Sequence, residues 1–288
     1  MKTHFRFFIY LIIMQLELIG INSVKAEFVN EFETARFQKV FIIVLENTDY
    51  DEAIKQPFLK ELASKGALFT NFTAEIHPSQ GNYIAMTSGN TYNINHDRKV
   101  DLNVPHIADL LEKGGLTWKV YAEKYPGNCF LNMSKGTYVR KHVPFLSYEN
   151  IQNDEKRCAN IVNADAFDSD FTNGTLSNYS FYVPDLKNDG HDTGIGYADR
   201  WLEGKFRKLL SDPKFMKDML FIVTLDESDS RFPNKIYTMF YGDSVLPGSI
   251  NNSSHNHYSI LKLLEENFGL DNLGQKDVTA PSILDIWK

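Results

Sequence analysis

The sequence predicts an α/β protein whose doubly wound central sheet is largely parallel. Continuous apolar runs rich in β-branched and aromatic residues, at 39–45 and 219–225, are typical of strands buried on both faces of such a sheet. These runs alternate along the chain with segments of helical periodicity. Alternation of strand and helix favours a sheet flanked by helices.

The predicted strands and helices follow from apolar periodicity and from turn residues. The strands cover residues 39–45, 67–69 and onward to 79, 117–121, 180–183, 219–225 and 236–241. The helices cover residues 57–65, 105–113, 197–210 and 258–267, and a further helix begins near Asn82. Residues 125–170 are the least regular part, so we expect a cap or lid over the sheet edge there.

The N-terminus has the pattern of a secretory signal peptide, with a positively charged start and an apolar run from Phe7 to Leu16. This run is shorter than the roughly 20 residues of a spanning helix, although a retained signal anchor is the alternative. Cleavage near Ala26 would leave residues 27–288 as a single secreted domain without a stable membrane anchor. The formal net charge is −7, which argues against nucleic acid as a partner.

Two further features fit a secretory route. Cys129 and Cys158 are the only cysteines, and one disulfide is their simplest state in an oxidising compartment, with two free thiols as the alternative. Sequons for N-linked glycans occur at Asn71, Asn132, Asn173, Asn178, Asn251 and Asn252.

Acidic and amide side chains directly follow three predicted strands. Glu46 and Asn47 follow the first, residues 185–192 follow another, and Asp226 and Glu227 follow a third. Ligands of open α/β sheets bind beyond the carboxyl ends of the strands. Taken singly, these side chains are equally well explained as helix caps or surface ion pairs. Together they would repel one another unless a cation offset their charge.

The ligand types favour a metal that prefers oxygen. Carboxylates, an amide and a hydroxyl suit Mg²⁺, Mn²⁺ or Ca²⁺. Zn²⁺ stays open because His191 and His257 can supply nitrogen. His257 also begins a predicted helix, where it would either pack or take part in phosphoryl transfer.

Ser79 lies between a predicted strand and the helix that begins near Asn82. The partial positive charge of a helix N-terminus favours an alkoxide or a phosphate oxygen. A divalent ion on the serine oxygen would activate it further as a nucleophile. An ordinary N-cap is the alternative for this residue.

The order and spacing of these motifs resemble the phosphoesterase family, which holds secreted acid phosphatases and, more distantly, bacterial phospholipases C. The resemblance covers nearly all of residues 39–274 and implies an alkaline-phosphatase-like core. The matching segments are Leu-Glu-Asn (45–47), His-Pro-Ser-Gln-x-Asn-Tyr (77–83), Tyr-Pro-Gly-Asn-Cys-Phe (125–130), Lys-His-x-Pro-Phe (141–145), Asn-Asp-Gly-His-Asp (188–192), Asp-Glu (226–227) and His-Tyr-Ser (257–259).

The resemblance implies a secreted, metal-dependent acid phosphatase that hydrolyses small phosphomonoesters through a phosphoserine intermediate. Ser79 would be nucleophile and metal ligand at once, and His191 and His257 would also be catalytic. The metal ligands would be Glu46, Asn47, Ser79, Asp226 and Glu227. The residues around the phosphate would be His77, Asn82, His142, Asp189, His191 and His257. Gly81 departs from the family pattern, which commonly has proline there, so a looser turn is expected after the nucleophile.

Three alternatives stay open. The first is a phospholipase C-like phosphodiesterase. The second is a secreted serine esterase, because Ser79, Asp226 and His257 follow the chain order of an α/β-hydrolase triad, although His77 stands where the nucleophile elbow requires glycine. The third is a non-catalytic secreted glycoprotein that keeps the fold as a binding module.

Overall fold

The computed structural model describes residues 35–288, so the predicted signal peptide at residues 1–26 lies outside the described residues. The strands are β1 (Lys39–Leu45), β2 (Ala67–Phe69), β3 (Phe72–Thr73), β4 (Trp118–Ala122), β5 (Ser134–Lys135), β6 (Tyr138–Val139), β7 (Ile161–Asn163), β8 (Tyr179–Val183), β9 (Met219–Leu225), β10 (Thr238–Gly242), β11 (Ser249–Asn251) and β12 (His255–Asn256).

The helices flank an eight-stranded sheet. They are α1 (Tyr50–Ala53), α2 (Pro57–Lys65), α3 (Gln80–Ser88), α4 (Ile107–Lys113), α5 (Glu149–Gln152), α6 (Glu155–Cys158), α7 (Ala166–Asn173), α8 (Ile195–Leu210), α9 (Pro213–Met216) and α10 (His257–Phe268), with 3₁₀ turns at Arg140–His142 and Pro144–Ser147. Helix α3 packs on α10, and α2 packs on α8. Within residues 35–288, no helix combines the length and apolar character needed to cross a membrane.

The strand order of the sheet is β11-β2-β10-β9-β1-β8-β4-β7. Every pairing is parallel except those of β10, which runs antiparallel to β9 and β2. The predicted α/β class with a largely parallel sheet is therefore confirmed. Apolar periodicity carries no information about strand direction, so the reversal of β10 was not predicted.

The register between β1 and β9 positions the site. Lys39 pairs with Met219, and the match continues to Leu45 with Leu225, so both strands end at the same level. Their apolar side chains are buried because layers cover both faces of the sheet. Phe41 shows this packing, since its ring contacts five other buried aromatic rings. The residues that follow the two strands are therefore placed side by side.

Residues 125–170, predicted as an irregular cap, contain more regular structure than expected. The β5–β6 hairpin and the two 3₁₀ turns lie in this segment, and β7 pairs with β4 at the edge of the main sheet. The predicted disulfide between Cys129 and Cys158 is confirmed, with the two Cα atoms 5.7 Å apart. Residues 125–170 are therefore joined to the main sheet through β7, and the Cys129–Cys158 disulfide links two points within this segment.

The sequons differ in exposure. Asn71, Asn132, Asn173 and Asn252 are exposed. Asn251 is only 3% exposed, and the Asn178 amide nitrogen donates to the Gln38 carbonyl oxygen at 3.0 Å. The structure therefore counts against a glycan on Asn251, because this asparagine is buried, and the other sequons stay predictions.

Candidate active site

The carboxyl ends of three adjacent central strands meet at one point. Glu46 follows β1, Asp226 and Glu227 follow β9, and Asp189 lies in the loop after β8. The Glu46 backbone N–H donates to the Asp189 carbonyl oxygen at 3.0 Å. All four acidic residues are at most 2% exposed. The structure thus brings together acidic groups that lie up to about 180 residues apart in the sequence.

Ser79 lies among these carboxylates as the N-cap residue of α3. Its Oγ is 3.1 Å from Glu46 Oε2 and 3.1 Å from Glu227 Oε1. The side chain makes no capping hydrogen bond to the helix, which argues against the explanation of Ser79 as an ordinary cap. The hydroxyl instead faces the carboxylate cluster at the positive end of a nine-residue helix.

Burial and neighbouring negative charge disfavour the ionised form of the two carboxyl groups at the end of β9. Burial and then the neighbouring Glu46 raise the pKa of Asp226 well above its usual range. The same two causes, in the same order, raise the pKa of Glu227 to about 7. Without a positive charge among them, this cluster therefore favours at least one protonated carboxyl group.

The donor set fits a divalent cation. Both carboxylate oxygens of Asp226 and the Asn47 Oδ1 atom are buried and accept no hydrogen bond. The Asn47 amide nitrogen donates to Glu227 Oε1 at 3.2 Å, so the Asn47 Oδ1 atom remains able to bind a metal ion. Within residues 35–288, no three His, Cys, Asp or Glu side chains form a ready-made metal site. The fit comes from uncovered oxygen atoms on carboxylates together with an amide and a hydroxyl, the set that hard cations prefer.

Glu46 is held from its second side by Tyr83 and His142. The Tyr83 hydroxyl donates to Glu46 Oε1 at 2.7 Å, and His142 Nε2 lies 3.1 Å from the same oxygen. His142 Nδ1 lies 3.4 Å from Asp189 Oδ2. Burial lowers the pKa of His142 to about 4 and raises that of Asp189 to about 7. His142, which the resemblance places around the phosphate, lies between the carboxyl groups of Glu46 and Asp189.

Asn82 and His257, which the resemblance also places around the phosphate, are both hydrogen-bonded within the protein. The Asn82 Oδ1 atom accepts hydrogen bonds from the Glu75 and Ile76 N–H groups at 2.9 and 3.0 Å, so this amide fixes the chain just before Ser79. The buried His257 has Nδ1 2.6 Å from Glu75 Oε2 and Nε2 2.9 Å from the Leu225 carbonyl oxygen. Both residues position the backbone near the site.

The position of His257 also decides against the serine esterase. Both of its ring nitrogens face other acceptors, and neither is hydrogen-bonded to Ser79. The chain order of Ser79, Asp226 and His257 therefore does not correspond to a triad in space.

His77 and His191 are the predicted histidines that keep solvent-facing surface. His77 Nδ1 lies 2.5 Å from Glu227 Oε2, and the side chain is 26% exposed. Burial and then the nearby Arg231 lower the pKa of His77. His191 is exposed, with Nδ1 2.8 Å from Asp192 Oδ1. These two rings are placed to meet a substrate or water that enters from outside.

Lys141 and Asp97 were assigned no role from the sequence, yet both lie close to Ser79. Lys141 Nζ is 3.4 Å from Ser79 Oγ and 2.8 Å from Asp97 Oδ2. Burial opposes the charge of Lys141, but Glu46 and Asp97 outweigh it and raise its pKa. The other oxygen of Asp97 accepts the Gln80 N–H at 3.1 Å. The Lys-His-x-Pro-Phe motif was the available signal for Lys141, whereas no motif marks Asp97.

The chain packs closely around Gly81, two residues after Ser79. A Cβ atom there would lie 2.5 Å from the Ile94 carbonyl oxygen and 2.6 Å from Ile76 Cγ2. The first turn of α3 therefore packs directly on residues 76 and 94, and only glycine leaves space for this contact.

Known phosphoesterases and phosphatases are similar to this chain in sequence. The sequence pattern of the Phosphoesterase family matches residues 52–271. A probable acid phosphatase of Kluyveromyces lactis is 37% identical, over 91% of this chain and 65% of that protein. The phosphatidylinositol-3-phosphatase of Mycobacterium tuberculosis is 34% identical, over 87% of this chain and 83% of that protein. The chain spans 60 to 65% of the length of the four fungal acid phosphatases it matches.

Solved structures share the fold at low sequence identity. A protein of the alkaline phosphatase superfamily from Vibrio parahaemolyticus superposes with a TM-score of 0.58 at 17% identity, over 87% of this chain and 71% of that one. Murine ectonucleotide pyrophosphatase/phosphodiesterase 5 superposes with a TM-score of 0.55 at 12% identity, over 83% of this chain and 96% of that one. The predicted alkaline-phosphatase-like core is confirmed. By the span of its sequence match and the identity of its relatives, the chain belongs to the Phosphoesterase family.

Proposed function

We propose that this protein is a divalent-metal-dependent phosphomonoesterase of the acid phosphatase type that forms a phosphoserine at Ser79. The observation that carries the proposal is the position of Ser79 Oγ, at the start of α3 and 3.1 Å from both Glu46 and Glu227. Four relatives named as acid phosphatases or probable acid phosphatases, at 34 to 37% identity, support the same reaction class.

The chemistry that a divalent ion supplies when bound is Lewis-acid stabilisation of negative charge during phosphoryl transfer. The residues that would hold it are Glu46, Asn47, Ser79, Asp226 and Glu227. The bare oxygens of Asp226 and the free Oδ1 of Asn47 support this assignment. Mg²⁺, Mn²⁺ and Ca²⁺ suit this oxygen set best.

In the first step Ser79 Oγ attacks phosphorus and its proton passes to one of the two carboxylates at 3.1 Å, Glu46 or Glu227. The bond between phosphorus and the ester oxygen breaks, and the alcohol leaves with a proton from solvent. Lys141 Nζ and the N-terminus of α3 lie where they stabilise the negative charge of the phosphoryl oxygens.

In the second step water attacks the phosphoserine, which releases inorganic phosphate and restores the Ser79 hydroxyl. His191 is the candidate base for this water, since the ring is exposed and Asp192 orients it through Nδ1. His77, 2.5 Å from Glu227, is the candidate contact for a phosphoryl oxygen.

We also propose secretion, on the basis of the signal-peptide pattern in residues 1–26 and the Cys129–Cys158 disulfide. Expression with the native N-terminus should place the protein in the culture medium with a new N-terminus near Glu27. An intact Met1 on cell-associated protein would contradict cleavage and favour the signal anchor.

The reaction is tested by assaying purified protein with an aryl phosphate monoester and the matching diester. We expect faster hydrolysis of the monoester, loss of activity on dialysis against a chelator, and recovery with Mg²⁺, Mn²⁺ or Ca²⁺. A faster rate on the diester would favour the phospholipase C-like alternative. Full activity in metal-free protein would contradict the metal site, and no turnover on either ester would favour the non-catalytic binding module.

The metal site is tested separately by measuring metal content in Asp226→Asn and in the surface control Asp285→Asn. We expect Asp226→Asn to lose bound metal and at least about tenfold in turnover, because it removes a ligand charge from the cluster. Asp285 is exposed and is not among the proposed ligands, so its variant should match the wild type in both measurements.

A further inference from the structure

A cavity of about 210 Å³ lies next to the nucleophile. Its wall includes Gln80, the residue after Ser79, and Lys141, whose Nζ is 3.4 Å from Ser79 Oγ. The carboxylate cluster at the ends of β1 and β9 contributes no lining residue. The cavity is therefore a space beside the proposed reaction centre that none of the assigned metal or phosphate contacts fills.

The acidic residue in the cavity wall, Asp97, has both of its carboxylate oxygens paired with donors. Asp97 accepts the Gln80 N–H with one oxygen at 3.1 Å and Lys141 Nζ with the other at 2.8 Å. Lys99 also lines the cavity; its side chain is 43% exposed, and its Nζ lies 3.4 Å from Asp101 Oδ2, which is outside the wall. An ester that enters with its phosphoryl group towards Ser79 therefore meets positive charge and no unpaired carboxylate on this side.

The remaining wall is mixed in character. Met133 and Val139 present apolar surface, while Ser134 and Gln80 present a hydroxyl and an amide. The cavity volume is about 210 Å³. This combination of size and surface suits a three-carbon polyol or a single sugar ring, which has hydroxyl groups on an apolar carbon frame.

We propose that this cavity is the leaving-group site, and that it selects phosphomonoesters of small hydroxylated alcohols up to the size of one sugar ring. Lys141 contacts a phosphoryl oxygen at the mouth of the cavity on the side of Ser79, and the alcohol occupies the space between Gln80 and Val139. This inference rests on the proposed phosphatase function and adds the substrate class to it.

The disulfide loop forms most of this wall. Five of the eight lining residues lie between Cys129 and Cys158, namely Met133, Ser134, Val139, Arg140 and Lys141. Arg140 is fixed from behind, since its guanidinium donates to the Val100 carbonyl oxygen at 3.0 Å and to Asp101 Oδ1 at 2.9 Å. The segment predicted as a cap thus shapes the leaving-group site as well as delivering Lys141 to the nucleophile.

The test compares three monoesters of increasing size: methyl phosphate, glycerol phosphate and a hexose phosphate. Val139→Phe fills the cavity, and Val278→Phe makes the same change at an exposed position that does not line it. We expect Val139→Phe to lower the ratio of kcat/KM for hexose phosphate over methyl phosphate by about tenfold or more. The inhibition constant of inorganic phosphate, which occupies no leaving-group space, should change by less than about threefold.

An unchanged ratio in Val139→Phe, or an equal loss for all three esters together with weaker phosphate inhibition, would overturn the inference while leaving the phosphatase function intact. Absence of turnover on all three esters by the wild type would overturn the proposed function as well. If thermal melting shows that Val139→Phe is unfolded, Met133→Trp replaces it as the cavity-filling variant. Met133 is 54% exposed at the rim, the substitution keeps the Asn132 sequon, and the same drop in the kcat/KM ratio is expected.

Discussion

Lys141 is the cation nearest to the proposed nucleophile, and its position depends on one carboxylate. Asp97 ties the ammonium group to the first N–H of α3, so lysine and helix present positive charge to the same place. Only 15% of the Lys141 side chain is exposed, which strengthens its interaction with a phosphoryl oxygen over that of a surface lysine.

Lys141→Gln should therefore lower kcat by about a hundredfold, because it removes a preorganised positive group from the transferring phosphate. Lys141→Arg should recover part of this loss, since it restores the charge in a different shape. The exposed Lys60→Gln in α2 is the matched control. Steady-state kinetics with an aryl phosphate separates kcat from KM, and an unchanged kcat in Lys141→Gln would show that this lysine has no part in the chemical step.

Side chains near the site show what sequence reasoning captures at the residue scale. Glu46, Asp226, Glu227 and Ser79 were identified because each directly follows a strand or precedes a helix, and backbone geometry then fixes its place. Asn82 and His142 belong to the same motifs, but the hydrogen bonds between Asn82 and Ile76 and the close contacts of His142 with buried carboxyl groups depend on side-chain packing. A motif therefore indicates proximity to the site without indicating which atoms face the ligand.

The disulfide loop is the element that links the cavity to Ser79, because it contains Lys141 and most of the cavity wall. Replacing Cys129 and Cys158 together by serine opens a loop with a sequence separation of 29, which should lower the free energy of unfolding by about 3 kcal/mol. The loss of kcat/KM should be larger for hexose phosphate than for methyl phosphate, because the loop forms most of the cavity wall. Denaturant unfolding and the two assays check this, and equal stability of variant and wild type would contradict it.

Helix α10 contains a buried carboxyl group, that of Glu265. Glu265 is 4% exposed, and burial and then the nearby Asp277 raise its pKa to about 8. The folded state therefore binds this proton more tightly than the unfolded state. Its contribution to stability is full below the ordinary glutamate pKa of about 4.5 and is lost as pH rises towards about 8.

Glu265→Gln should remove this pH dependence, since glutamine keeps the shape of a neutral carboxyl group and does not ionise. Between about pH 5 and pH 8 the unfolding free energy of the wild type should fall relative to that of the variant. Glu155→Gln, at an exposed position, should run parallel to the wild type. Denaturant titrations at several pH values measure the difference, and a constant difference for Glu265→Gln would contradict a raised pKa.

For the secondary structure, long periodic segments were predicted well and short edge segments were not. The bounds of β1, β9 and α2 agree with the prediction because long apolar or amphipathic runs determine them. Strands β7 and β11 have three residues each, too few to show a period, and they form only by pairing with β4 and β2. The expected strand from residue 67 towards 79 is broken, since the chain leaves the sheet after Phe69.

At the scale of the whole fold, the candidate site lies where the ends of adjacent parallel strands are aligned. Parallel neighbours β8, β1 and β9 finish at one edge, and their following residues supply the carboxyl groups around Ser79. The alternation of strand and helix predicted this arrangement. The contributions of Lys141 and the cavity wall were not predicted, because they come from a loop whose path is set by tertiary contacts and the disulfide.

The most direct test of the central claim is to trap the phosphoryl group on the protein. An isotopically labelled phosphomonoester is mixed with metal-loaded protein, quenched at low pH and mapped by peptide analysis, with Ser79→Ala and Ser88→Ala, at the two ends of the α3 region, compared in parallel. The account predicts label on the peptide containing Ser79 in the wild type and in Ser88→Ala, and loss of both label and most turnover in a folded Ser79→Ala. Absence of label during measurable turnover, with Ser79→Ala keeping much of its metal-restored rate, would contradict it.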